Sequence, residues 1–339
     1  MKILIVQTSF LGDVILSSPV IAAVKSKFPQ AEISVLTTPA AKSILSRDPL
    51  ISEALVFDKR HSSSGLFGLL RKAKELRAKH FDMAFALQRS IRTALLLKFA
   101  KIPEIIGFSN AKFSPIFYDK TRVRPMDKHD VLRNLSIILD PDELETAPAE
   151  MRLFPPKDND ISEILKNAIL GKERWVVLAP GSVWKTKRWS ADGFKDVLQQ
   201  LRKKGIDVFV VGGAEDKELA EEICINNEDV NLAGKLSLSD TMYLISKAAV
   251  LVCNDSMPMH LGSAFKIPTV AIFCATSPSF GFGPWKNRAI IVEKEGLSCK
   301  PCARHGSMKC PNGTNACIDG ISATTVMEAI ESLLKEEND

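Results

Sequence analysis

Between residues 248 and 273 an apolar run, a polar loop, a short helical stretch and a second apolar run follow one another. No other feature of the 339-residue chain restricts its fold as tightly. Residues 249–253 and 268–273 read as buried strands because they are almost continuously apolar. Residues 254–260 form the loop between them and residues 261–265 a short helix. A β-loop-α-β unit of this kind places its loop at the carboxyl end of a parallel strand, where open α/β sheets bind ligands. The loop carries the carboxyl group of Asp255, the hydroxyl of Ser256 and the imidazole of His260. The helix start behind it favours negative charge, so the stretch predicts a phosphate-bearing ligand.

The same alternation recurs along the chain. Strands are expected at residues 2–6, 33–36, 54–57, 83–87 and 104–108. Between them, one helix starts somewhere from Gly12 to Pro19 and runs to about Phe28, and others cover 66–79 and 91–100. Residues 140–157 turn acidic and proline-rich and read as an interdomain linker. Beyond it, strands at 175–178 and 207–211 and helices at 191–204, 215–224 and 239–247 lead into the stretch described first. The expectation is an α/β chain of two Rossmann-like domains with parallel sheets, residues 1–150 and 151–339, and a cleft between them.

Composition narrows the class. A chain that is 45% hydrophobic and 25% charged is ordinary for a water-soluble globular protein. No apolar run approaches the ~18 residues that span a bilayer. The apolar start is interrupted by Gln7 and Asp13, so it reads as a strand and not a signal peptide, and a cytoplasmic location is expected. Charge is unevenly placed: residues 1–139 hold 22 Lys and Arg against 11 Asp and Glu, the remainder 23 against 29. The basic half suits an anionic partner or surface. A nucleic-acid binder is disfavoured because the chain has two tyrosines and most of its phenylalanines lie in apolar runs, leaving no base-stacking platform.

Two further loops follow strands of the second half. The first holds Gly181, Ser182, Lys185, Lys187, Arg188 and Trp189, small residues for close backbone approach and cations for a diphosphate. Its spacing is not that of a P-loop. The second, with Gly212, Gly213 and Glu215, offers a carboxylate to ribose hydroxyls. With Asp255, Ser256 and His260, three loops meet at one sheet edge.

These motifs, together with Gly12 and Asp13 after the first strand, resemble family 9 glycosyltransferases, the lipopolysaccharide heptosyltransferases, in order and over essentially the whole chain. The cysteine-bearing tail and the loop from Gly181 to Trp189 look more like the heptosyltransferase II branch than the heptosyltransferase I branch. The resemblance implies a GT-B fold, two facing Rossmann-like domains with the nucleotide-sugar donor in the second and the acceptor in the first. It implies ADP-heptose as donor, the inner core of lipopolysaccharide as acceptor, and work at the cytoplasmic leaflet of the inner membrane. Carried over by position, Asp13 matches the catalytic base and Lys187 the cation on the leaving group. Gly181, Ser182, Lys185, Glu215, Leu236, Asp255, Ser256, Met257 and His260 fall on the donor side. Met257 departs from the family, which has a small residue there. Inverting transfer without a metal cofactor is the expected chemistry. Apart from catalysis, Asp13 also suits a helix N-cap.

Gly12, Arg60, Arg89, Arg92, Lys112, Lys128 and Arg133 form the pool for acceptor phosphates and carboxylates. Cys299, Cys302, Cys310 and Cys317 crowd the tail segment 299–317. A C-x2-C pair followed by two more cysteines can hold structural zinc, although the second pair lacks that spacing; reduced or redox-labile thiols are the other reading. The competing enzyme class is another GT-B protein, a UDP-sugar transferase or an epimerase.

Overall fold

The computed structural model describes residues 1–59, 61, 63–227 and 230–335. They divide into two compact units, Met1–Phe154 and Pro155–Asp339.

The first unit is built on β1 (Lys2–Val6), whose Ile3, Leu4, Ile5 and Val6 are at most 2% exposed. Helices α1 (Leu11–Ser17) and α2 (Pro19–Lys27) follow, then β2 (Glu32–Thr37), α3 (Pro39–Leu45), β3 (Ile51–Val56) and α4 (Gly65–Ala78). The chain returns through β4 (Met83–Ala86), α5 (Ile91–Phe99), β5 (Glu104–Phe108), α6 (Ser114–Phe117), β6 (Lys120–Arg122), α7 (Asp130–Leu135) and α8 (Pro141–Thr146). Among the described residues the sheet order is β3-β2-β1-β4-β5-β6, every pair parallel. Ile3 is flanked by Ile33 on one side and Met83 on the other. The strand order reverses between β1 and β4, and that switch point is where an open α/β sheet leaves a crevice.

In the second unit α9 (Glu163–Ile169) precedes β7 (Trp175–Ala179), α10 (Ala191–Lys203), β8 (Asp207–Val210), α11 (Lys217–Ile223) and α12 (Leu238–Ser246). Then come β9 (Val250–Asn254), α13 (Met257–Ala264), β10 (Thr269–Phe273), β11 (Ala289–Glu293), α14 (Ala316–Asp319) and α15 (Ala323–Lys335). The sheet order is β11-β10-β9-β7-β8, again all parallel, with the switch point between β7 and β9. Strands β7, β9 and β10 are buried along their whole length, as their uninterrupted apolar runs require.

The expected class of two Rossmann-like α/β domains with parallel sheets is therefore met. Several local expectations are corrected. The stretch taken for a linker holds α8, whose Asp140 and Glu143 make a reciprocal capping box around Pro141, and Lys27 pairs with Glu143 at 2.7 Å. Residues up to 154 stay with the first unit because Arg152 grips Asp48 through two hydrogen bonds of 2.9 and 3.0 Å and donates its backbone N–H to Ser18. The helix expected over 261–265 opens at Met257, with Ser256 as its extended N-cap, so His260 lies in its first turn. The helix that runs to Phe28 is α2, which opens at Pro19 with Ser18 as its N-cap, inside the expected interval; α1 is a separate helix ahead of it, and Phe10, not Asp13, is its N-cap.

Candidate functional site

In the first unit, the loop after β1 turns directly into α1, so that Asp13 projects from the first helical turn at the switch point. Val14, Ile15 and Leu16 pin that helix to the core, all at most 1% exposed. Asp13 is half-buried, and its pKa is raised to about 6. Burial is the main cause, with the negative charge of Asp130 second; the Phe10 backbone, Arg124 and Arg89 pull the other way. Asp130 opens α7, which packs against α1. It is held by Arg124 at 2.7 Å, by Asn134 at 3.0 Å and by Arg133 at 3.6 Å. A carboxylate with a pKa near 6 is ionised at neutral pH yet more basic than a free aspartate, which suits a general base.

The basic pool around it sorts into different fates. Arg89 is exposed and near enough to Asp13 to lower its pKa. Arg92 is half-buried and gives its guanidinium to the carbonyls of Ser63 and Gly65 at 2.6 and 2.9 Å. Arg133 is 2% exposed, bonded to the Met126 carbonyl and set against Asp130, so it supports α7 and is not open to a ligand. That corrects its place in the acceptor pool. Lys112 and Lys128 are exposed, Gly12 is half-buried in α1, and Arg60 lies outside the described residues.

The sequence pattern passed over Lys59. It ends the segment after β3, bonds Gln88 and Thr93, and lies 5.6 Å from the Phe57 ring, which Arg92 also approaches at 5.9 Å. Burial and Arg92 lower its pKa to about 8. Gln88 in turn bonds Thr8, which ties the ends of β1, β3 and β4 together.

In the second unit, Lys187 and Asp255 meet at the switch point between β7 and β9. Lys187 Nζ lies 2.7 Å from Asp255 Oδ2, with side chains 14% and 8% exposed. Thr276 Oγ1 donates to the same carboxylate oxygen at 2.7 Å. The buried Asp255 carboxylate thereby fixes the direction of the Lys187 cation. Asn254, fully buried at the end of β9, accepts from the Trp189 backbone N–H at 3.0 Å and donates to the Pro180 carbonyl at 2.7 Å. It thereby clamps both ends of the loop that carries Lys187. Trp189 completes the anchor through its indole N–H to Ile321 and an edge contact with Phe194 at 5.1 Å.

Gly181 is small for a reason other than ligand approach. A Cβ there would stand 2.3 Å from Asp216 Oδ2. Asp216 is 8% exposed, accepts from Gly213 N–H at 3.1 Å and faces Arg188 at 3.6 Å, joining the loops after β7 and β8. Its pKa is raised, chiefly by burial. Glu215 is exposed and folds back over Gly213, whose Cβ it would meet at 2.4 Å. Ser182 and His260 are buried, Ser256, Met257 and Leu236 half-buried, Lys185 exposed. The hydroxyl of Ser256 makes no cap bond to α13.

The cysteine segment packs on this loop. Ser307 donates its N–H to Thr186 Oγ1 at 2.8 Å and accepts from the Thr186 N–H at its carbonyl at 3.1 Å, and Cys302 N–H donates to the Ala275 carbonyl. Cys299, Cys302 and Cys310 are half-buried and Cys317 buried, all as free thiols. Among the described residues no three His, Cys, Asp or Glu side chains converge to hold a metal ion. Burial pushes the Cys302 and Cys317 thiols up, whereas backbone N–H groups, led by that of Asn315, hold Cys310 down.

The family described as glycosyltransferase family 9 (heptosyltransferase) matches residues 69–311 of the chain. Lipopolysaccharide heptosyltransferase 2 of Salmonella typhimurium is 28% identical to it over 99% of each chain. The solved structure of ADP-heptose lipopolysaccharide heptosyltransferase II from Escherichia coli superposes with a TM-score of 0.80 at 25% identity, covering all of both chains. A glycosyl transferase family 9 structure from Veillonella parvula gives a TM-score of 0.86 at 24% identity, over 99% of this chain and 97% of that one.

Proposed function

The chain belongs to glycosyltransferase family 9 and is a glycosyltransferase; on that premise we propose that it moves a heptose from ADP-heptose to the inner core of lipopolysaccharide. The names of its relatives support that donor and acceptor class, with the second heptose of the core as the position favoured by the heptosyltransferase 2 likeness. In the proposed reaction an acceptor hydroxyl attacks the anomeric carbon as the bond from that carbon to the diphosphate oxygen breaks. The configuration inverts, ADP leaves, and the hydroxyl proton passes to Asp13. Charge grows on the departing diphosphate, and Lys187 with the backbone N–H groups around it is the proposed stabiliser. With that cation supplied by the protein, the reaction needs no metal. The membrane-anchored acceptor makes the cytoplasmic leaflet of the inner membrane the proposed place of work; no described helix is long and apolar enough to cross a membrane.

The observation that carries this reading is the Lys187–Asp255 pair, a cation held by a buried carboxylate at the carboxyl ends of the central strands. Mass spectrometry of truncated lipopolysaccharide incubated with ADP-heptose and, separately, with UDP-sugars is the direct test. One heptose mass should be added from ADP-heptose, with the rate unchanged by EDTA. Transfer from a UDP-sugar alone would replace this donor assignment.

A further inference from the structure

Helix α4 is apolar on two faces. Gly68, Leu69, Lys72, Ala73 and Leu76 form its buried side, and the helix packs against α5. That side accounts for the inward stripe expected of a surface helix. The opposite side is where Phe67 is 89% exposed, Leu66 62% and Leu70 42%. Scattered exposed leucines need no explanation, but these three stand on consecutive turns of one helix. Leu66, Leu70, Lys74 and Arg77 succeed one another at intervals of three or four residues, and Phe67 and Arg71 run beside them. Arg71, Lys74 and Arg77 are exposed, and the helix has one acid, Glu75, which pairs with Lys72 at 2.7 Å.

A surface that mixes large apolar side chains with cations matches a bilayer interface, where rings and leucines enter the acyl boundary and basic heads meet lipid phosphates. We infer that the outward face of α4 docks this enzyme on a membrane of anionic lipid, with Leu66, Phe67 and Leu70 inserted and Arg71, Lys74 and Arg77 on the headgroups. Charge decides for a membrane over a second copy of the chain. The half of the sequence that contains α4 has twice as many basic as acidic residues, so like faces of two copies repel. The inference deepens the membrane part of the function proposed above, and its test needs no sugar transfer.

The test is flotation of the full chain with phosphatidylcholine vesicles and with vesicles carrying about 30% phosphatidylglycerol. Wild type should float with the anionic vesicles only and be released as salt rises. Phe67→Ser with Leu70→Ser should weaken partitioning by at least about tenfold, and Lys74→Glu with Arg77→Glu by at least about tenfold. Far-UV circular dichroism and the thermal unfolding midpoint should stay unchanged in both pairs, which establishes that they are folded. Wild type left behind by anionic vesicles, or variants that float as well as wild type, would overturn the inference. So would sedimentation showing that wild type pairs and the Phe67→Ser, Leu70→Ser variant does not, because the face would then join two copies. Failed flotation leaves sugar transfer untouched, and failed transfer leaves flotation intact.

Discussion

The two switch points use similar parallel sheets to opposite electrostatic ends. At β1 and β4 a half-buried carboxylate, Asp13, sits near a second one, Asp130, and its pKa rises to about 6. At β7 and β9 a cation, Lys187, sits against a buried carboxylate 2.7 Å away. The first arrangement stores an unfavourable interaction that makes a proton acceptor stronger. The second is satisfied at rest and holds a positive charge where a leaving group can use it. A site of the first kind costs stability and a site of the second kind contributes it, so substitutions at the two should separate activity from stability in opposite directions.

The largest effect is expected for Asp13→Asn. Losing a general base should lower turnover by ~10²–10⁴-fold while ADP binding stays near its wild-type value. Stability should move the other way. Below the unfolded value of 3.8 both states are protonated and Asp13 contributes nothing. Between there and about 6 only the unfolded state ionises, and above about 6 the whole penalty stands against the fold. The Asn variant should therefore unfold on the order of 2–3 kcal/mol later at pH 8, with the gain vanishing near pH 4. Denaturant titrations at the two pH values check this, and a variant less stable than wild type at pH 8 would break the comparison.

Lys187→Met should lose ~10²–10³-fold in turnover, because the charge on the departing diphosphate loses its cation. Here stability falls too, by roughly 3–5 kcal/mol, since Asp255 is left buried without its counter-charge. Adding Asp255→Asn should restore most of the stability and none of the turnover. Recovery of transfer in the double variant would mean that Lys187 acts only through Asp255 and not on the donor.

The contrast also explains what could be read from sequence. The central strands were legible because burial on both faces demands unbroken apolar runs, as in residues 250–254 and 269–273. The edge strands β6 and β11 were not: one is three polar residues and the other is half exposed, so neither carries that signature. The acid and proline that suggested a linker are the same residues that cap α8, since Pro at N1 and Glu at N3 open helices as readily as they mark loops. At the sites, Asp13, Lys187 and Asp255 stood out through motif position. Asp130 and Asp216 did not, and neither did the clamping role of Asn254 within its motif, because each acts by reaching a residue distant in the chain. Asn254 to Pro180 and Asp216 to Gly181 are contacts that only the parallel sheet creates.

Asp130 offers the finest test of the first switch point. Removing its charge with Asp130→Asn acts on Asp13 twice in one direction. The carboxylate that raises the pKa of Asp13 is gone, and Arg124 is released from its 2.7 Å pair and bears on Asp13 more strongly. Both changes favour ionised Asp13, so the acid limb of kcat/KM, expected near pH 6 in wild type, should move to lower pH. The variant should then keep a larger share of its own maximal rate at pH 5 than wild type does, although a weaker base lowers that maximum modestly. Measured well below the unfolding temperature, the pH profile distinguishes this from mere loosening of α7, which would reduce the rate at every pH alike. An acid limb that stays in place or rises would show that burial alone, and not its neighbour, sets the basicity of Asp13.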